Sequence, residues 1–392
     1  MISFENTEIA FGGKTNAALN RAYWLFKIIG NPLIVKVGKS VSNFALKAGL
    51  PISGLIKQTI FSQFCGGETI SECQATITHL QKFNIGTILD YSVEGKASED
   101  DLDTTVREII DTILTASKNP AIYFAVFKLT GISKFNILEK ANDPFLELSS
   151  SEQDEYNTVI SRVDSICKVA YENNIPIFID AEESWIQRTI DQITLQMMRK
   201  YNKEKAIIYN TLQSYRHDRI AYLKEMINLA REESIHYGIK LVRGAYLEKE
   251  RDRAKLKNYP SPIQPDKTAC DTDFDTALKL IIKNIDVLAL CAGTHNEKSS
   301  LYLTELLREN NISPNDKRIC FAQLLGMSDH ITYNLSNAGY NVAKYVPYGP
   351  VREVMPYLLR RADENTSIAG QTSRELSLIV KEKKRRRKEQ LK

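Results

Sequence analysis

Tyr357, Arg360, Arg361 and Glu364 follow one another at i, i+3, i+4 and i+7 near the end of a 392-residue chain. A helix would carry all four on one stripe. Two adjacent arginines on a partly enclosed helix repel each other unless an anion lies between them. A carboxylate fits, because paired guanidinium forks match its planar geometry better than an ammonium does. The other reading is a solvated arginine pair with Glu364 as its partner one turn on. Val351, Val354, Met355, Leu358 and Ala362 give the segment an apolar side. Pro356 predicts a kink or restart, with Tyr357 on the first turn of the part that faces a substrate.

Such a stripe needs a scaffold. After about residue 80, short runs rich in β-branched and aromatic residues alternate with long amphipathic stretches. Strands are predicted at Ile85–Tyr91, Ile122–Leu129, Ile175–Ala181, Ala206–Asn210, Ile239–Gly244, Val287–Ala292, Arg318–Phe321 and Val342–Val346. Eight strand-helix units predict an α/β fold, a (βα)8 barrel of the TIM type. No Gly-x-Gly-x-x-Gly follows any strand, which argues against an open doubly wound sheet. The expected organisation is an N-terminal helical arm over 1–80, the barrel over 81–370 and a basic tail over 371–392.

In a barrel, the carboxyl ends of the strands face the active site. Lys128 ends the second strand, Asp180-Ala181-Glu182-Glu183 the third, and the fourth runs into Gln213. Lys240 to Tyr246 close the fifth, Thr294-His295-Asn296 the sixth and Gln323-Leu324 the seventh, while the eighth carries Tyr345. Each alone has a plain explanation: Lys128 could snorkel out of the mouth and Asp180 could cap a helix. Ionisable groups at most of the strand ends together are not explained by packing. The longer connections, Gly131–Ser150 and Leu247–Thr272, lie where active-site loops belong. The second reads either as a lid or as a solvated insertion.

Other chemistries find no signature. The five histidines lack metal-ligand spacing, so no metal site is expected. Neither a phosphate loop nor a Gly-x-Ser-x-Gly elbow occurs. A barrel with a carboxylate-binding pair and no nucleophile needs a cofactor for the hard chemistry. Six scattered cysteines without Cys-x-x-Cys read as reduced packing residues of a cytosol-like compartment. No apolar stretch is long enough to span a bilayer, and the start, with Glu5 and Glu8, resembles neither a secretory nor a transit peptide. A cytoplasmic protein is expected. The net charge of +4 owes much to the run from Lys381 to Lys388. That run reads as a solvated, frayed end or as a contact with anionic headgroups on the inner face of a membrane. No aromatic stacking pattern accompanies it, so no nucleic acid is expected.

Five ordered segments carry a family resemblance: Phe124–Thr130, Ile179–Glu182, Leu241–Tyr246, Thr294–Asn296, and Tyr345-x-Pro347-x-Gly349 followed by Tyr357-x-x-Arg360-Arg361. They resemble the successive motifs of the proline dehydrogenase family over about residues 64–367. The resemblance implies a distorted (βα)8 barrel with noncovalently held FAD that oxidises L-proline to Δ1-pyrroline-5-carboxylate and passes the electrons to a membrane quinone. By motif position, Arg360, Arg361 and Lys128 would clamp the substrate carboxylate, and Leu324, Tyr345 and Tyr357 would wall its ring. Gln213, Arg243, Gly244, Ala245, Thr294 and His295 would hold the flavin. Asp180 would be the catalytic carboxylate beside the ring, and Lys240 would stand next to the reactive flavin nitrogen. Many bacterial relatives have arginine there; lysine keeps the charge and loses the planar fork. Three further readings stay open. One is hydroxyproline as substrate, against which the bulk of Tyr345 argues, since relatives preferring it have a smaller residue there. The second is an aldolase-like barrel with Lys128 as a Schiff-base lysine. The third is a non-catalytic barrel that docks on membranes through its tail.

Overall fold

All eight predicted runs are strands in a computed structural model of the chain, which describes residues 2–31, 34–36, 38, 53–93, 98–367 and 371–391. They are β1 (Ile85–Tyr91), β2 (Ile122–Phe127), β3 (Ile177–Ile179), β4 (Ile208–Gln213), β5 (Tyr237–Val242), β6 (Leu288–Gly293), β7 (Ile319–Leu324) and β8 (Val342–Tyr348). In sequence order they close into one barrel. The described helices of five or more α-helical residues are α1 (Thr7–Phe11), α2 (Asn16–Ile29), α3 (Ile70–Gln81), α4 (Glu99–Lys118), α5 (Phe135–Asn142), α6 (Ser150–Glu172), α7 (Ser184–Tyr201), α8 (Arg219–Glu232), α9 (Leu247–Lys257), α10 (Lys267–Lys283), α11 (Glu297–Glu309), α12 (Asp329–Asn337), α13 (Met355–Ser367) and α14 (Gln371–Gln390).

Contacts divide the chain into two units, Met1–Gly95 with Gln323–Lys392, and Lys96–Ala322. In the second, α4 starts at Ser98, whose side chain accepts from the Asp101 N–H, and α6 starts with a full capping box between Ser149 and Glu152. Both caps have the Ser-x-x-acid spacing. The strand ends differ from the predicted ones in both directions. β2 stops at Phe127 and β3 at Ile179, so Lys128 and Asp180 stand just beyond the pairing. β4 instead runs on through Thr211 and Leu212 to Gln213. β5 begins at Tyr237 and stops at Val242, leaving Arg243 and Gly244 outside it. Polar residues at the mouth blur the hydrophobic pattern on which a strand end is read.

The two long connections are not plain loops. The first contains α5, which packs on α7 and whose Asn142 Oδ1 accepts from the backbone N–H groups of Arg188 and Thr189. The second contains α9, which ends at Asn258 in the left-handed conformation. Glu250 of α9 is fully buried and accepts from the Ser184 N–H and the Ser184 hydroxyl, both at 2.6 Å. It thereby caps the start of α7 from another element. The insertion is a tethered helix.

In the first unit, β1 and β8 pair from Ile85↔Val342 to Tyr91↔Tyr348. Leu19, Ala22, Phe26 and Ile29 line one face of α2 and share a core with Met355, Tyr357 and Leu358 of α13 and Leu378 and Ile379 of α14. α13 begins at Met355 with Pro356 in its first turn, so the expected restart is a helix start. The basic tail is α14. Glu375, Leu378, Ile379 and Glu382 are buried at i, i+3, i+4 and i+7. The Glu382 carboxylate accepts from Arg385 Nε at 2.8 Å and Arg386 Nε at 2.7 Å. Arg386 also donates to the carbonyls of Phe11 and Lys14, each at 2.8 Å. The expected frayed end is thus a docked helix, its four buried positions hidden in the sequence by the charges around them. All six cysteines are free and buried, and no described helix is long and apolar enough to cross a membrane.

Leu378 tests this docking. A Leu378→Ala substitution should cost about 3 kcal/mol of unfolding free energy, the usual loss for a core leucine. Chemical denaturation showing a loss below about 1 kcal/mol would mean that α14 adds nothing to the folded unit.

Candidate active site

Lys128 lies between the end of β2 and the 3-10 turn Leu129–Gly131, Asp180 directly after β3, and Lys240 within β5. Asp180 joins them. Its Oδ2 accepts from Lys128 Nζ at 3.0 Å and its Oδ1 from Lys240 Nζ at 2.6 Å. Asp180 and Lys240 are only 7% and 8% exposed. Burial by itself would raise the Asp180 carboxyl, but the ammonium groups of Lys128 and Lys240 outweigh it and hold the acid well below the usual carboxylate range. Asp180 is therefore a fixed anion and a poor proton donor. Lys240 Nζ also lies 5.3 Å from the centroid of the Phe178 ring, a cation–π contact.

Glu182, two residues on, is a site residue that the sequence reading left unassigned. It is buried and accepts from the Thr130 N–H at 3.1 Å and the Thr130 hydroxyl at 2.5 Å. Its own N–H donates to Gln187 Oε1 and its carbonyl accepts from Gln213 Nε2 at 2.8 Å. Glu182 thus ties the turn after Lys128 to the segment that carries Asp180. Burial pushes its carboxyl up to about 7, against the lowering effect of the Thr130 bonds and the Lys128 charge. The signal for it was its place two residues beyond Asp180, at the same strand end. Gln213, expected at the flavin, is engaged here and is buried.

Arg243, Gly244, Ala245, Thr294 and His295 leave the ends of β5 and β6. Arg243 donates from Nε to Asp271 at 2.6 Å, from Nη1 to the Thr294 hydroxyl at 2.6 Å and from Nη2 to the Ser299 hydroxyl at 3.0 Å. Its guanidinium lies 4.3 Å from the Phe274 ring centroid. Gly244 has φ +131, and a Cβ there would come within 2.4 Å of the Tyr215 ring, so the position demands glycine. Gly244 and Ala245 are exposed, and His295 lies one residue before the Asn296 cap of α11. A held guanidinium, bare backbone and a helix start form a donor set that suits the pyrophosphate of a dinucleotide such as FAD. Asp271, Ser299 and Phe274, which orient Arg243, come from α10 and α11 and had no motif to mark them.

In the other unit, Leu324 ends β7 and Tyr345 lies in β8, with the Leu325 N–H donating to the Tyr345 carbonyl at 2.9 Å. Tyr345 and Tyr357 are buried. Arg361 is 8% exposed and its guanidinium lies 5.0 Å from the Tyr357 ring centroid, while Arg360 is half-buried. A buried guanidinium favours the enclosed reading of the stripe over the solvated one. The side chains of Glu364 and Ala362 lie outside the described residues. Among the described residues no group of histidine, cysteine and carboxylate side chains could hold a metal ion.

A family model described as Proline dehydrogenase matches residues 73–374. The Proline dehydrogenase 1, mitochondrial, of Dictyostelium discoideum is 33% identical over 426 residues, covering 97% of this chain and 74% of that relative. That of Drosophila melanogaster is 39% identical over 250 residues, but the match covers 61% of this chain and 37% of the relative. The Hydroxyproline dehydrogenase of Xenopus laevis is 30% identical over 410 residues, covering 95% of this chain and 88% of its own length. Among solved structures, proline utilization A (PutA) from Bdellovibrio bacteriovorus, inactivated by N-propargylglycine, superposes with a TM-score of 0.73 at 18% identity. That match covers 92% of this chain and 38% of the other, and it shows a shared fold.

Glu182 gives a pH test. Its folded pKa of about 7 lies above the ordinary 4.5, so its contribution to stability is complete below pH 4.5 and is lost as pH rises through 7. A Glu182→Gln variant lacks that loss. Its melting temperature, compared with the parent's, should therefore improve between about pH 5 and pH 8. A difference that stays constant over that range contradicts the assignment.

Proposed function

Since this chain belongs to the proline dehydrogenase family, we propose that it oxidises L-proline to Δ1-pyrroline-5-carboxylate with FAD as its cofactor. The observation that carries the reading is the Lys128–Asp180–Lys240 set, an enclosed anion between two cations at the strand ends where a barrel does its chemistry. When bound, FAD supplies the acceptor for a hydride from the ring carbon next to the substrate nitrogen. The protein's part is binding, orientation and electrostatics. Arg243, Gly244, Ala245, Thr294, His295 and Gln213 are the residues proposed to hold the cofactor, with the Lys240 ammonium beside its reactive ring.

Arg360, Arg361 and Lys128 are proposed to bind the substrate carboxylate. An ammonium can serve several acceptors at once, so the Asp180 pair is compatible with that role for Lys128. Asp180 would fix the direction of both ammonium groups, and Leu324, Tyr345 and Tyr357 would exclude water and press the ring into the one attitude that suits transfer. The Schiff-base reading of Lys128 loses ground for the same reason: the Nζ that would attack a carbonyl is held by Asp180 Oδ2 at 3.0 Å.

A second substrate has one observation in its favour, the near full-length similarity to the Xenopus hydroxyproline enzyme. The bulk of the buried Tyr345 supports proline over it. As for the electrons, a membrane quinone is the proposed acceptor. Lys384, Arg387 and Lys388, exposed on α14, would meet anionic headgroups there.

The visible spectrum of the purified protein decides cofactor and substrate together. A flavin band should be present and should bleach on anaerobic addition of L-proline, faster than with hydroxyproline. A colourless protein that takes up no FAD, or a band indifferent to both imino acids, contradicts the reading. Arg360→Met and Arg361→Met should each raise the KM for proline at least about tenfold, since a charged hydrogen bond is worth about 1.5–3 kcal/mol. A near-parental KM in both would remove the arginine clamp.

A further inference from the structure

β7 ends at Leu324, and five residues later the chain enters α12 at Asp329. The turn between them is one that a free chain would not hold. Gly326 has φ +77, and a Cβ there would lie 2.1 Å from the Gln63 carbonyl oxygen. Ser328 has φ +51, a left-handed conformation that costs a non-glycine residue of order 1 kcal/mol. Ser328 would not hold it without external ties.

Those ties are unusually polar and come from four distant segments. Lys344 of β8, only 1% exposed, donates to the Leu324 carbonyl at 3.3 Å, the Met327 carbonyl at 2.5 Å and Asp329 Oδ1 at 2.8 Å. Its three donors thus meet three acceptors along one short turn. Asp329 is held in turn by Lys14 at 3.1 Å. Gln63 Nε2 donates to the Gly326 carbonyl at 2.8 Å. From α14, the buried Glu375 carboxylate accepts the Ser328 N–H, the group that the left-handed turn presents, and lies 3.9 Å from His330 Nδ1.

Stability alone is a poor reason for this arrangement. Ion pairs inside a protein contribute little over apolar residues of the same volume, because desolvation offsets most of the attraction. What they fix is geometry. The turn they hold begins at Leu324, and Lys344 is the neighbour of Tyr345 on the same strand, so their side chains leave opposite faces. Leu324 packs on the core that contains Met327 and Tyr357.

We propose that Lys344 and Glu375 are positioning residues of the substrate site, which hold the turn 324–329 so that Leu324 and Tyr345 present one fixed wall to the substrate ring. This rests on the reading of Leu324 and Tyr345 as that wall. It makes α14, through Glu375, part of how a five-membered imino acid is told from one that carries an extra hydroxyl.

The test compares full-length holoenzyme variants by initial rates with L-proline and trans-4-hydroxy-L-proline. Glu375→Leu and Lys344→Met should each raise the KM for proline at least about fivefold while kcat stays within about threefold, and proline-over-hydroxyproline discrimination should fall about fivefold. Glu375→Gln, which keeps an acceptor for the Ser328 N–H, should recover most of both. Folded Glu375→Leu or Lys344→Met enzyme with a lower melting temperature but KM and discrimination within about twofold of the parent overturns the proposal. If neither variant folds, Gln63→Ala, which removes one partly exposed tie, decides by the same two readouts. Leu324→Ala and Tyr345→Ala separate the two levels. If they leave KM and discrimination unchanged, the wall itself is wrong and the proposal falls with it. If they shift both and the Glu375 and Lys344 variants do not, only the positioning role is lost.

Discussion

Two ammonium groups cannot share a dry space unless an anion stands between them, and in this barrel the anion is Asp180. Lys128 and Lys240 approach it from β2 and β5, one on each carboxylate oxygen. The cost of taking three charges out of water is offset only while all three stay together. Removing Asp180 would leave two cations to repel each other, and removing either lysine would leave the carboxylate half-compensated. The strand ends must therefore keep their register to within the length of a hydrogen bond. Glu182 serves that need by tying the turn after Lys128 to the end of β3, and burial, working against those bonds, brings its own carboxyl up to about 7.

The device recurs in the other unit with a different outcome. Asp329 lies between Lys344 and Lys14 as Asp180 lies between Lys240 and Lys128, and the two lysines likewise hold it well below the usual carboxylate range in spite of burial. There the inner lysine is spent on backbone carbonyls, so the charge shapes a turn. At Asp180, the outer lysine keeps 24% of its side chain exposed, so the charge faces the mouth. One electrostatic solution thus serves chemistry in one place and architecture in the other. What differs is the inner lysine, which at Asp329 also serves backbone carbonyls, for the outer lysines are alike, 24% exposed at Asp180 and 22% at Asp329.

Much of this was legible in the chain because it follows a periodicity. The β-branched runs gave all eight strands. The polar strand ends pointed to Lys128, Asp180 and Lys240, which the fold does bring together. Less legible were interactions that depend on which distant segments meet. Nothing in the neighbourhood of Glu250 announces that it caps Ser184, and nothing near Asp271 announces that it orients Arg243. α14 shows a different failure: its apolar stripe is only Leu378 and Ile379, flanked by Glu375 and Glu382, and two of the four buried positions are carboxylates. A hydrophobic pattern cannot reveal a face whose burial is made possible by arginines and backbone N–H groups.

The lysine at position 240 looks different once Asp180 is seen to serve two partners. An arginine presents two parallel donors that match both oxygens of one carboxylate, and in such a fork Asp180 would have both oxygens claimed. Such a fork would still leave room for Lys128, as Asp218 shows by accepting from both Arg216 and Arg219. A lysine engages one oxygen, Oδ1, and leaves Oδ2 to Lys128 at 3.0 Å. One buried anion thereby steers two cations, with one ammonium on each oxygen. Lysine at 240, Asp180 and Lys128 are on this argument one interdependent choice, and a change at any of them would be felt at the other two.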